Sequence, residues 1–353
     1  MEYINSMDES LKTIDETNIK YLDLMKFPEL FFGNINVFNK TVDFCKYSKL
    51  VQEEMSKFGS VPKNEMNHLN SSSCGNRLRF YTDSKKFILK IKLKRKWDYQ
   101  KLITWNSSGF DLYTVENDKY IPRIIFAPME GKDFFAEMIF NSNNGLNCIF
   151  LPNYNTIEKI HIGIDKNSTL KPFPYPKKNR LPILFYGNSI TQGAAASKSG
   201  NSFPNLVSKF LNRDIINLSC SSCCRATDNI SDEIGRINCH SIVLDYTRNA
   251  DSLDEFKNSY DDFYREIRAY HPTQKIILMT SSSFNHLNKY KEYDEIVKET
   301  YLNARNRNEN TFYINQTALF NHDEWDYVVI DSAHFTDYGM YKIANEICRI
   351  LEG

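Results

Sequence analysis

Leu184-Phe185-Tyr186-Gly187-Asn188-Ser189-Ile190-Thr191-Gln192-Gly193 reads as an apolar strand that stops at a glycine and hands over a serine. The apolar run covers 182–186, and four more follow at 214–218, 241–246, 275–280 and 311–315. Each reads as a buried strand. Helical patterns separate most of them. Phe203, Leu206, Val207, Phe210 and Leu211 fall on one helix face, as do Phe256, Tyr260, Phe263, Ile267 and Tyr270. Met340, Ile343, Ala344, Ile347 and Leu351 mark a last helix. Strands alternating with helices imply parallel βαβ units, whose ligands lie beyond the carboxyl ends of the strands. A serine directly after the first run is therefore where chemistry is expected.

Upstream the period changes. Phe87, Leu89, Ile91 and Leu93 alternate with Ile88, Lys90, Lys92 and Lys94, the signature of a half-buried strand. The basic run from Lys90 to Lys96 reads as the solvated face of that strand. Short runs recur at 110–115, 120–127, 134–140, 147–151 and 157–163, with turn signals at Asn143-Asn144-Gly145 and Glu130-Gly131-Lys132. Such a series predicts an antiparallel sandwich. Pro172, Pro174 and Pro176 then exclude a central strand or a helix interior and predict a stiff linker. The expected organisation is a sandwich over 1–168, a linker over 169–180 and an α/β domain over 181–353.

Composition narrows the partners. Lys plus Arg and Asp plus Glu are 44 each among 353 residues, so the formal charge is zero. That balance offers no long-range attraction for nucleic acid or an anionic membrane, and neither is an expected partner. The first ten residues lack the basic and apolar regions of a secretion signal, and eight scattered cysteines read as reduced. Cytoplasmic residence is the expectation.

A serine hydroxyl is a poor nucleophile until a base and an oxyanion site activate it. Asp331-Ser332-Ala333-His334 lies just before the last helix, and an Asp three residues ahead of a His can hold one imidazole nitrogen while the other faces Ser189. Asn249, at the end of the third apolar run, can donate its amide to an oxyanion or simply shape a turn. Cys220, Cys223, Cys224, Cys239 and His240 include one ligand-like spacing, but Cys239 and His240 are adjacent and awkward on one ion, so no metal is expected. Small thiols packed near the active site are the expected role of Cys223 and Cys224.

In chain order these residues resemble the SGNH, or GDSL-type, esterases and lipases, whose serine, glycine, asparagine and histidine come from four successive blocks. Ser189 in Tyr186-Gly187-Asn188-Ser189-Ile190-Thr191-Gln192-Gly193 matches the nucleophile, Asn249 the asparagine, and Asp331-x-x-His334 the last block. Residues 217–224, Asn-Leu-Ser-Cys-Ser-Ser-Cys-Cys, occupy the glycine block, where the family glycine falls on Ser222. Asn188 stands where an aspartate is usual, and Phe335 where a proline is common. Gly109-Phe110-Asp111-Leu112-Tyr113 is similar to the Gly-x-Asp-Leu-Tyr signature of a branch with an N-terminal sandwich. Leu151-Pro152-Asn153-Tyr154-Asn155, with Ile160 to Ile164, fits that sandwich's last strands; the first twenty or so residues have no counterpart.

The resemblance implies a three-layer α/β/α domain with a parallel sheet, preceded by a jelly-roll-like antiparallel sandwich. It implies a serine esterase with Ser189 as nucleophile, His334 as base and Asp331 as its orienting carboxylate. The N–H groups of Ser189 and Ser222 and the Asn249 amide would form the oxyanion hole, with no cofactor. The branch is similar to carbohydrate esterases, so a short acyl ester, an acetylated sugar or glycoside, is the expected substrate. An acyltransferase using the same serine, or a weakly active binding homologue because of Ser222, are the alternatives. Asn188 and Trp325 are candidates for the substrate pocket, Trp325 equally for the core.

Overall fold

Phe87, Leu89, Ile91 and Leu93 point into a sandwich core, and the strand carrying them, Lys86–Arg95, lies inside one of the sandwich's two large antiparallel sheets. The computed structural model describes residues 16–57, 63–95, 102–129, 131–284 and 289–353. The first fifteen residues, Lys96 of the basic run and Glu130 of one turn lie outside the described residues. Among the described residues, twelve strands precede residue 173. They are β1 (Ile19–Asp23), β2 (Phe31–Phe32), β3 (Asn36–Phe38), β4 (Thr41–Asp43), β5 (Arg77–Thr82) and β6 (Lys86–Arg95). The series continues with β7 (Phe110–Glu116), β8 (Lys119–Phe126), β9 (Phe134–Phe140), β10 (Leu146–Phe150), β11 (Thr156–Asp165) and β12 (Leu170–Pro172).

One sheet runs β1-β11-β6-β9 and the other β12-β5-β10-β7-β8, with β2 also on β5. Leu78, Phe80, Leu112, Ile149, Ile160 and Ile162 fill the space between them. The basic face of β6 is less solvated than its alternation predicts. Lys90 is buried, 2.9 Å from Glu16 and over the ring of Tyr21, while Lys92 pairs with Glu158. Strand β1 covers this region by pairing with β11.

Part of the Pro-rich segment is itself a strand. Leu170–Pro172 pairs antiparallel with β5 at the sheet edge, where proline's missing donor is tolerated. Tyr175 beyond it is buried, with the Arg79 guanidinium 3.8 Å over its ring.

The second half carries β13 (Ile183–Gly187), β14 (Ile215–Asn217), β15 (Ser241–Asp245), β16 (Lys275–Met279) and β17 (Thr311–Ile314). All pair in parallel in the order β14-β13-β15-β16-β17. Leu184, Tyr186, Ile242, Leu244, Ile276 and Leu278 face one layer of helices, among them Asp228–Gly235 and Leu253–Tyr270. Ile183, Phe185, Val243, Ile277 and Met279 face the other, built on Phe203–Leu211 and Asp337–Glu352. This is the three-layer α/β/α arrangement, with the order reversing at β13, where parallel sheets open a crevice.

Two residues leave the faces assigned by periodicity. Phe210 and Tyr270 sit in the last turns of their helices and are 43% and 47% exposed. Phe210 packs edge-on to Tyr341, and the Tyr270 hydroxyl bonds Asp232.

Candidate active site

Gly187 closes β13 under tight quarters, because a Cβ there would overlap Thr191 Oγ1 and the Asp245 carbonyl. Asn188 then caps the short helix Ser189–Gln192, its Oδ1 accepting the Ile190 N–H at 2.8 Å. Its Nδ2 donates to the Asp245 carbonyl at 2.8 Å and its own N–H to the same oxygen at 3.0 Å. Asn188 is thus 1% exposed and fixes the turn from below; it does not line a pocket.

That cap leaves Ser189 at the helix start. Its Oγ lies 2.8 Å from His334 Nε2, and His334 Nδ1 lies 2.8 Å from Asp331 Oδ2. The Asp331 carboxylate also accepts the N–H groups of His334 and Ala333 at 3.0 and 3.2 Å. Partial burial works against its charge, yet these N–H groups and the imidazole hold its pKa below the ordinary carboxylate value. The loop is pinned at both flanks: Val329 bridges Phe335, Ile330 N–H donates to the His334 carbonyl, and Phe284 N–H donates to Ser332. Phe335 fills the core between Phe284 and Phe320. Trp325, partly buried, packs edge-on to Phe284 and beside His322, against the aromatic core behind the histidine loop.

Ser222 and Asn249 end the flanking segments. Ser222, after β14, has φ +61° in the left-handed region where glycine is at ease, and its side chain is exposed. A serine here thus holds a backbone conformation that favours glycine. Asn249, after β15, accepts the Cys224 N–H on Oδ1 at 3.3 Å. Among the described residues, no hydrogen bond takes the N–H of Ser189 or Ser222, or the Asn249 Nδ2. Three donors from three neighbouring strand ends are thus available. The neighbouring thiols are buried: Cys224 Sγ bonds the Gly187 carbonyl, and Cys220 Sγ lies 3.9 Å from Lys46 Nζ. Cys239 sits elsewhere, beside His271.

Beneath the turn lies Asp245, fully buried. Its carboxylate accepts Thr191 Oγ1 at 2.7 Å and Gln316 Nε2 at 2.9 Å, and burial pushes its pKa up to about 7.

The sandwich reaches this site directly. Asn106 Nδ2 donates to the Gly193 carbonyl at 2.8 Å, and Asn153 Nδ2 to Asn106 Oδ1 at 2.7 Å. The Tyr154 hydroxyl donates to the Ser189 carbonyl at 3.3 Å. Gln192 Nε2 donates to the Asn153 carbonyl while its Oε1 accepts the Ser221 N–H, tying nucleophile turn to glycine block. Gly193, at φ +110°, has no room for a Cβ beside Asn153 and Ser202. Gly193, small as it is, lets the sandwich approach the nucleophile turn this closely. In the Gly109–Tyr113 motif, Asp111 pairs with Lys198 at 3.1 Å and accepts the Tyr113 hydroxyl at 2.8 Å. Periodicity could not show the bonds between the sandwich and the parallel-sheet half, which join residues 35 to 87 positions apart.

Two family models account for most of the chain: that of the GDSL-like lipase/acylhydrolase family over residues 180–352, and that of the GxDLY N-terminus of SGNH-hydrolase-type esterases over 40–170. The chain belongs to the GDSL-like acylhydrolases. Membership makes it an esterase of the SGNH type. No curated protein matches it in sequence. Among solved structures, this acylhydrolase is similar to a protein described as a GDSL-like lipase from Bacteroides ovatus, with 22% identity, TM-score 0.75, and 95% and 98% of the two chains covered. It is also similar to the salicylyl-acyltransferase SsfX3 of a tetracycline biosynthetic pathway, with 15% identity, TM-score 0.74, and 95% and 97% covered. A family two carbohydrate esterase from Cellvibrio japonicus shares 14% identity at TM-score 0.60, over 95% and 98%. At these identities the likeness is one of fold. No helix among the described residues of this acylhydrolase is long and apolar enough to cross a membrane.

Proposed function

We propose that this acylhydrolase removes a short acyl group, acetyl above all, from a sugar or glycoside through an acyl-serine intermediate. The observation that carries the reading is the unbroken relay from Ser189 Oγ through His334 to Asp331, with both links at 2.8 Å. In this mechanism His334 Nε2 takes the Ser189 proton as Oγ attacks the ester carbonyl. Asp331 keeps the imidazole in the tautomer that presents a free Nε2, and steadies the imidazolium. The oxyanion receives the N–H groups of Ser189 and Ser222 and the Asn249 amide. His334 returns its proton to the leaving alcohol, then activates water to release the acid.

The sugar side of the proposal is supported by the fold shared with a carbohydrate esterase. The acyltransferase of the same fold makes a second alcohol, rather than water, the competing acceptor. Eight cysteines without disulfides support a reducing, cytoplasmic setting. An acyl-length series of nitrophenyl esters, run with wild type and Ser189→Ala, tests the reading. Acetate should be preferred to octanoate and lost in Ser189→Ala; equal rates in the two proteins refute it. Acetyl appearing on an added alcohol in preference to water would instead favour the transferase.

A further inference from the structure

We propose that Arg225 is the positioning residue of the Asn249 oxyanion donor, holding it in register with the glycine block. The inference rests on the esterase reading above and adds a residue to it. The three donors stand on separate segments: Ser189 follows β13, Ser222 follows β14 and Asn249 follows β15. Segments of this kind move independently unless something ties them, and displacements well under 1 Å weaken an oxyanion contact. The Arg225 side chain ties the last two together, and its backbone meets Tyr186 in β13.

Its side chain is buried, 1% exposed for the residue. Nη1 donates to the Cys224 carbonyl at 2.8 Å, in the glycine block, and to the Asn249 carbonyl itself. Nη2 pairs with Asp251 Oδ1 at 2.7 Å, two residues beyond Asn249. Its backbone N–H donates to the Tyr186 hydroxyl at 2.7 Å, and that hydroxyl donates to the Arg225 carbonyl. Tyr186 lies in β13, three residues before Ser189. The Cys224 N–H meanwhile occupies Asn249 Oδ1, which leaves Nδ2 as the end of the amide turned to other partners.

A planar guanidinium suits this task because its five donors leave in fixed directions and can grip two carbonyls and a carboxylate together. A lysine ammonium has no such fork. For stability alone, a buried ion pair is often no better than apolar packing of equal volume, so the arginine has a reason to be here beyond holding the core.

The test compares wild type with Arg225→Lys, Asp251→Asn, Asn249→Ala and the Arg225→Lys/Asn249→Ala pair on nitrophenyl acetate, with thermal unfolding of each. Arg225→Lys should lower kcat roughly 10–100-fold, short of or equal to the loss of a whole donor, with KM within about twofold. Asp251→Asn should move kcat the same way by less. The double variant should fall no further than Asn249→Ala alone, since both act through one donor. Additive losses in the pair, a rise in KM at constant kcat, or wild-type kcat in Arg225→Lys would each overturn the proposal. If Arg225→Lys does not fold, the same cycle run with Asp251→Asn decides it by the same criterion. The Ser189→Ala control reads the esterase proposal separately: wild-type turnover there refutes that reading and this one with it.

Discussion

Lys198 and Asp111 form an ion pair at 3.1 Å across the seam between sandwich and parallel-sheet half, with the Asp111 side chain 2% exposed. The pair is one end of a strut. Lys198 belongs to the loop that Asp337 grips from the other side, through the N–H and hydroxyl of Ser197 and the Asn201 amide. Asp337 follows His334 by three residues. The sandwich motif therefore leans, through one loop, on the segment that presents the imidazole. Asp111→Asn should lower stability by about 1–3 kcal/mol, because it strands the Lys198 ammonium in a half-buried site. It should also reduce kcat severalfold with little change in KM. Urea unfolding and steady-state kinetics on one preparation check both; unchanged kcat would disconnect the seam from the histidine loop.

Ser222→Gly should keep or raise turnover. The serine holds φ +61°, which costs an L-residue roughly 1–2 kcal/mol relative to glycine in the same region, while the donor N–H is common to both. Ser222→Pro, which has no N–H and cannot reach that φ, should lose activity by about 100-fold or more. A large drop in Ser222→Gly would show that the hydroxyl itself takes part.

Asn188→Asp restores the residue usual in the family, and it should impair this protein. The Asn188 amide donates to the Asp245 carbonyl, so a carboxylate there would face an acceptor with nothing to give. The expected cost is about 1–3 kcal/mol, with lower activity. A more stable Asn188→Asp variant would mean that the turn relaxes around the new charge.

Asp245 makes the fold sensitive to pH in a known sense. Burial raises its folded-state pKa from 3.8 to about 7. Between those values the folded chain binds the proton that the unfolded chain has released, so this group's contribution to stability falls as pH rises and levels off above about 7. Thr191 and Gln316 donate to the carboxylate, and the Arg248 charge also favours its ionised form. The stability of Asp245→Asn relative to wild type should therefore increase from pH 4 toward neutrality, read from denaturant midpoints at several pH values. A difference independent of pH would show that Asp245 is ionised throughout.

Much of this was legible in advance. All five parallel strands fall on the apolar runs, because strands buried on both faces are spelled in Ile, Val, Leu and Phe, and Ser189 lies 2.8 Å from the His334 of the Asp331-x-x-His334 block. Strands β1, β5 and β12 escaped periodicity, since their place is fixed by partners up to 146 residues away, as in the pairing of Lys20 with Ile164 and Ile19 with Asp165. Asn106, Asn153, Gln192 and Arg225 escaped it for another reason. They serve backbone carbonyls of remote segments, and a polar side chain that satisfies a distant peptide group carries no local pattern.

Gly193, pressed against Asn153 where not even a methyl would fit, has a meaning for anyone exchanging parts among such enzymes. A foreign sandwich grafted onto this catalytic half would have to reproduce an asparagine at that spot to within a few tenths of an ångström. The unit that can be moved between proteins is therefore the pair of layers with their shared border, not either half alone.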